Sequence, residues 1–227
     1  MAIVKTDAGQ CAVWLSDAVQ PVTAVWNGPC SEGLAEGLGQ LSVRLEGQEV
    51  IAYSGLMAAG RFDGKGKLKQ LDGLTIEGIW TTGVLTGEGA AYWPNGSRYE
   101  GEFVDGSANG TGKYFNKNGD QYVGSWKNGL KHGSGRYKFA RGDVYEGTWA
   151  EDRPHGSGIY VLSNGNRYEG EMAEGRYSGF GTFRWTNGDR YVGSWRNGMF
   201  HGTGKYYKAD GSVLEGRWEN GDWKGKI

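Results

Sequence analysis

The residues best suited to chemistry are few and regularly spaced. The three histidines of the 227-residue chain, His132, His155 and His201, each stand directly before a glycine and recur at multiples of 23 residues. Imidazoles bind zinc, but only with their nitrogens within ~2.1 Å of one point. Equivalent places of successive two-strand units lie about 10 Å apart, so these histidines read as turn residues and no metal site is expected. A row of glutamates, Glu77, Glu100, Glu146, Glu169 and Glu215, offers the paired carboxylates that hydrolyse glycosides. The competing reading pairs the row across strands with Lys69, Lys138 and Arg184 on a solvated face. That reading is preferred, and a carboxylate-row hydrolase is kept as a remote alternative.

No serine has glycines two residues to either side, so the strained nucleophile elbow is missing. The glycine pairs Gly110, Gly112 and Gly202, Gly204 do not continue into a phosphate-binding fingerprint, and no helix is expected after them. The expectation is a protein that is not an enzyme, with no catalytic residue and no cofactor. The two cysteines, Cys11 and Cys30, share one irregular segment. They read either as a disulfide closing a loop of about 20 residues, worth roughly 3 kcal/mol, or as two unrelated buried thiols. A disulfide implies an oxidising compartment.

What positions all of these is a repeat. The 43 glycines among 227 residues far exceed ordinary usage, while an aromatic share of 13% argues against disorder. From Tyr53 a unit of 23 places begins again at Ile76, Tyr99, Tyr122, Tyr145, Tyr168, Tyr191 and Leu214. Glycine holds places 3, 12, 14 and 21 until the last copy stops at Ile227, its place 14, and it holds place 8 except at Asp152. Trp26, Gly28, Cys30, Gly33, Gly37 and Gly39 fill the same places in a degenerate first copy, which carries four extra residues near Gly47.

Alternation at places 1, 3, 5 and at 14, 16, 18 predicts two short strands per unit, with Asn-Gly turns such as Asn118-Gly119 between units. The expected register sets place 3 against 16 and place 5 against 14, so that Trp126 lies over Gly135 and Tyr137 over Gly124. Rings would then sit on bare backbone. The fold class expected is all-β: an elongated single-layer antiparallel sheet of consecutive 23-residue β-hairpin repeats with an irregular N-terminal cap. The cap with its degenerate repeat spans residues 1–52, and seven complete repeats and a partial one span 53–227. Within the cap, strands are expected around Ala12 to Leu15 and from Val22, with a turn at Pro21.

Units such as YEGTW with the later HGSG, from Tyr145 to Gly158, resemble the MORN (membrane occupation and recognition nexus) repeat family. The resemblance covers 53–227 closely and 26–52 loosely. It implies a hairpin array with a binding or scaffolding role and names no ligand. The stretches TDAGQCAVW and VWNGPC are similar to the start of exported bacterial proteins of this type, which implies a periplasmic or secreted location. A cytoplasmic one is the alternative, because MAIVKTDAGQC holds no signal-like apolar core.

Binding is expected through one of two surfaces. The first is an aromatic stripe of Trp80, Phe103, Trp126, Trp149, Trp195 and Trp218 with Tyr137 and Tyr160, which doubles as the fold's own core. The second is a turn edge around Tyr177, Met199 and Phe200. The partner expected is a protein, with an envelope lipid or glycan as the alternative. A homodimer through the C-terminal strand edge near Trp218 to Trp223 is a further expectation. A net charge of -1 lacks the basic excess of a nucleic-acid binder, and no apolar run reaches the ~20 residues that cross a bilayer.

Overall fold

The computed structural model describes residues 2–6, 11–15 and 22–227, and every regular element in it is a strand. The chain packs as two compact units, 1–117 and 118–227. In the first unit, the cap supplies β1 (Ala2–Lys5), β2 (Ala12–Leu15), β3 (Val22–Trp26), β4 (Cys30–Ser31) and β5 (Leu34–Ala35). They are followed by β6 (Gly37–Leu45), β7 (Gln48–Ala58), β8 (Arg61–Gln70), β9 (Thr75–Thr81), β10 (Val84–Tyr92), β11 (Arg98–Val104) and β12 (Ser107–Phe115). β3 and β6 to β12 form one antiparallel sheet in which each strand pairs with the next. The second unit repeats the pattern with β13 (Gln121–Lys127), β14 (Leu130–Lys138), β15 (Val144–Ala150), β16 (Arg153–Val161) and β17 (Arg167–Ala173). It continues through β18 (Arg176–Arg184), β19 (Arg190–Arg196), β20 (Met199–Tyr207), β21 (Val213–Glu219) and β22 (Asp222–Gly225). Among the described residues no pairing joins β3 to β12 or β13 to β22, so neither unit closes into a barrel.

Both expected cap strands are present as β2 and β3; Pro21 lies outside the described residues. β1 pairs with β2, and Thr6 bridges Ala24 in parallel, which covers the outer edge of β3. Cys11 and Cys30 are joined by a disulfide with their Cα atoms 5.7 Å apart. The four extra residues of the first copy lengthen β6 and β7, which meet at a turn on Glu46 and Gly47.

The register differs from the expected one by two residues. Tyr122 faces Tyr137, Gly124 faces Gly135, and Trp126 faces Lys131 beyond a bulge. Thus place 1 opposes 16, 3 opposes 14 and 5 opposes 10. The reason lies in the first turn. It is the two-residue pair Asn128-Gly129 with φ of 51° and 79°, the left-handed geometry that suits the twist of a tight hairpin. A tight turn draws places 9 to 13 into the returning strand, and the bulge absorbs the two extra residues, His132 to Ser134 standing against Ser125 alone.

Glycine therefore faces glycine, and the ring above the pair is the tyrosine of place 1. A Cβ on Gly124 would stand 2.5 Å from the Gly135 Cα and 2.6 Å from the Tyr122 Oη. The same seat recurs under Tyr53, Tyr99, Tyr145, Tyr168 and Tyr191, and Trp26 fills it over Gly28 and Gly39 in the degenerate copy. Each buried hydroxyl needs a partner, and finds it three residues on: Tyr122 donates to the Ser125 carbonyl at 2.9 Å and Tyr191 to that of Ser194 at 3.0 Å.

Burial pushes the pKa of Tyr145 and Tyr191 up to about 12, and that of Tyr53 likewise, with Asp63 adding to it. Tyr122 and Tyr168 are raised as well, again chiefly by burial. An unfolded tyrosine ionises near 10. The contribution of neutral, buried tyrosine is therefore complete below that pH and is lost as pH rises toward 12. Absorbance at 295 nm should show the place-1 tyrosines silent through pH 10 to 11, where exposed tyrosines ionise. A single step near 10 for all of them would contradict the seating.

Candidate functional site

Successive residues of a strand point to opposite faces, so each unit's sheet has a ring face and a second face. The ring face carries places 1, 5, 10 and 16. Here Trp80, Phe103, Trp126, Trp149, Trp195 and Trp218 are only 5 to 9% exposed. The single layer protects them through neighbouring rings: Trp149 and Trp195 sit between rings of their own repeat and of the one before, and Trp80 and Trp218 pack on rings of the one before. Trp149 has ring centroids 5.2 Å from Tyr122, 5.2 Å from Tyr145 and 5.8 Å from Tyr137, and donates Nε1–H to the Gly135 carbonyl at 3.1 Å. Trp195 and Trp218 bond Gly181 and Gly204 in the same way. The stripe, expected to serve both as binding surface and as the fold's own core, packs as core at these six rings.

The expected turn edge also divides. With the short turn, Tyr177 and Phe200 at place 10 enter the strand and stack on Tyr168 and Tyr191, at 3.9 and 3.8 Å between centroids. They are part of the core. Met199, one residue nearer the turn, is 47% exposed. Tyr137 and Tyr160 are half-buried and serve as anchor points. Asp120 accepts from the Tyr137 hydroxyl at 3.0 Å and the Ala140 N–H at 2.8 Å, while Asp143 accepts from Tyr160 at 3.0 Å and Ser163 at 2.8 Å. Asp189 repeats this with Tyr206 and Ala209. In these three copies a carboxylate at place 22 thus staples one repeat to the next, while Leu74, Ser97, Asn166 and Ser212 hold that place in the others.

Burial works against the charge of Asp143, but the Ser163 N–H, the Arg141 guanidinium and the Tyr160 hydroxyl together hold its pKa below the usual range. A depressed folded pKa contributes stability above about pH 4 that is lost as pH falls through the folded value. Asp143→Asn should therefore melt below wild type at pH 7, with the gap closing at pH 3. A gap that is independent of pH would rule out the charged staple.

The second face carries places 2, 4, 13, 15 and 17. Its glutamates pair with place 15 rather than 17, as the corrected register requires: Lys67–Glu77 at 2.7 Å, Lys205–Glu215 at 3.0 Å and Arg136–Glu146 at 3.7 Å. These exposed pairs leave the row neutralised. His132 and His155 are exposed, and among the described residues no group of three or more potential ligands could hold a metal ion.

In the second unit this face is hollowed along the glycine crease. One hollow of about 790 Å³ is lined by Val123, Arg136, Glu146, Thr148, Ile159 and Glu169. A second, of about 710 Å³, is lined by Phe180, Val192, Lys205, Tyr207, Val213 and Glu215. Phe180 is 59% exposed. It stands at place 13, where neighbouring repeats have Thr111, Ser134, Ser157 and Thr203. Lys65, Glu88 and Lys226 also depart from the small hydroxyls at this place, but Phe180 is its one aromatic residue; that was the available signal for this surface, and aligning the copies place by place would have found it.

A family model described as the MORN repeat matches residues 53–75, 77–98, 99–121, 122–144, 145–167, 168–190 and 191–213. Among curated proteins none matches significantly. Among solved structures, the TCP domain of Drosophila melanogaster SAS-4 (dCPAP), in complex with a proline-rich motif of Ana2, is 12% identical over 69% of this chain and 86% of that one, with a TM-score of 0.42. The TCP10 domain of Danio rerio CPAP, in complex with a STIL peptide, is 12% identical over 85% and 97%, with a TM-score of 0.34. Superpositions this loose carry no argument about partners.

Proposed function

The chain belongs to the MORN-repeat family, and on that premise we propose that it is a non-enzymatic scaffold that binds a protein partner on the face opposite its rings. The observation that carries this reading is Phe180, an aromatic side chain 59% exposed beside Val192, Val213 and Tyr207 in a hollow of about 710 Å³. Apolar groups gathered in a concavity with a charged rim of Lys205 and Glu215 have the make-up of a contact hot spot. The buried rings of Trp149, Trp195 and Trp218 in the same unit back this face, and Met199 extends the contact at the turn edge. Affinity capture with wild type beside Phe180→Asp tests the reading, after both are shown to melt alike. Partners held by wild type and lost by Phe180→Asp support it, and an unchanged partner set contradicts it.

The Cys11–Cys30 disulfide supports the companion proposal of an oxidising, extracytoplasmic location. Thiol titration of the natively produced, denatured protein should find no free thiol without reductant; two would remove that support.

A further inference from the structure

Three arginines stand side by side on the second face where β17, β18 and β19 adjoin. Arg167 faces Arg184 across one strand pair, and Arg184 faces Arg190 across the next. Like charges set directly opposite destabilise a sheet, so the row costs the fold stability unless something else offsets it. Arg167 and Arg190 stand at place 23, where Arg98 stands in an earlier copy. Arg98 bonds Glu100 at 2.9 Å and Arg167 bonds Glu169 at 2.5 Å, in each case two residues on along the same strand. After Arg190 that residue is Val192. The Arg190 guanidinium lies over the Tyr207 ring, 4.2 Å from its centroid, and its Nε is buried with no hydrogen-bond acceptor among the described residues. Arg184 is exposed, and among the described residues no carboxylate pairs with it.

The row borders the Phe180 hollow. Val192 and Tyr207, the two neighbours of Arg190, both line it. Arg184 is four residues from Phe180 on the same face of β18, about 13 Å along the strand. We propose that the arginine row reads an aspartate or glutamate of the protein partner, on an extended segment whose apolar group occupies the Phe180 hollow about four residues away. This rests on the reading of that face as the partner surface. The charge follows from the count: three guanidinium groups and one bonded carboxylate, Glu169, leave two cations for an incoming acid. A planar carboxylate accepts from such forks two bonds at a time, and it relieves the repulsion that the free row carries. Apolar hollow and basic row together set the direction of the segment as well as its composition.

The test is selection of random linear dodecapeptides displayed on phage against the immobilised full chain, with the selected pools sequenced beside those from Phe180→Asp and Arg184→Gln. Wild type should enrich peptides in which Asp or Glu stands about four residues from an aliphatic or aromatic residue. Arg184→Gln should keep the apolar enrichment and lose the acidic one, and, relieved of a like-charge contact, should melt no lower than wild type. For a synthesised wild-type binder, changing its acidic residue to the amide should weaken binding to wild type on the order of tenfold and leave binding to Arg184→Gln nearly unchanged. Absence of enrichment on wild type, apolar enrichment without acidic preference, or an acidic preference that survives in Arg184→Gln overturns the arginine row and leaves the Phe180 face to its own capture experiment. Enrichment unaffected by Phe180→Asp overturns that face instead. Binding to vesicles of phosphatidylcholine and phosphatidylserine that Arg184→Gln loses, with no peptide enriched, assigns the row to a membrane surface and overturns the proposal.

Discussion

Gly124→Val should lower the melting temperature by roughly 6–12 °C, the equivalent of about 3 kcal/mol. The new Cβ would stand 2.5 Å from the Gly135 Cα, 2.6 Å from the Ser134 carbonyl oxygen and 2.6 Å from the Tyr122 Oη. Two of these are backbone atoms of the paired strand, which no rotamer change can move. Relief requires the strands to part or the tyrosine to leave its seat, and leaving breaks the hydroxyl bond to Ser125. The expected control is Ser134→Ala on the exposed face, which should stay within about 0.5 kcal/mol of wild type. Urea and thermal melts of the two variants check this, and equal melting would exclude glycine facing glycine.

Trp149→Ala should cost about 3–5 kcal/mol, the usual range for removing a buried aromatic side chain. Its indole touches the rings of Tyr122, Tyr137 and Tyr145 and satisfies the Gly135 carbonyl, so the loss falls on two adjoining repeats at once. Stability in repeat arrays is a sum of such neighbour terms, and the melt should broaden as the repeats on either side of residue 149 uncouple. Phe180→Ser removes a ring of comparable visibility in the sequence, yet should leave the melt within about 0.5 kcal/mol, because that side chain is 59% exposed. Similar losses for both variants would erase the distinction between core and contact face.

Much of the fold is legible in the chain because the repeat states each rule many times over. Glycine at places 3 and 14 beside large rings at places 5 and 16 predicts rings on bare backbone, and rings do lie on bare backbone, though they are those of place 1. The identity of the ring was not legible, because the register depends on a turn whose length two readings share. Gly129 and Gly133 both look like turn glycines, but only Asn128-Gly129 makes the turn, while Gly133 with φ of 65° belongs to the bulged strand. Shifting the register by two residues keeps every side chain on its own face. The faces were therefore predictable when the partners were not, and Glu77 meets Lys67 instead of Lys69.

The candidate site was harder to read for a related reason. Tryptophans at regular spacing draw attention as binding residues, but regularity is what a shared core produces. The contact face shows itself through irregularity, in Phe180 among serines and threonines.

The central claim is that the ring stripe is core and the opposite face is open to partners. Hydroxyl-radical footprinting of the native chain, read residue by residue by mass spectrometry, measures this directly. Phe180 and Met199 are predicted to label at nearly the rate of the unfolded chain, while Tyr122, Trp149 and Tyr168 label only after unfolding. Rapid native labelling of Trp149 and Tyr122 with protection of Phe180 would contradict the account.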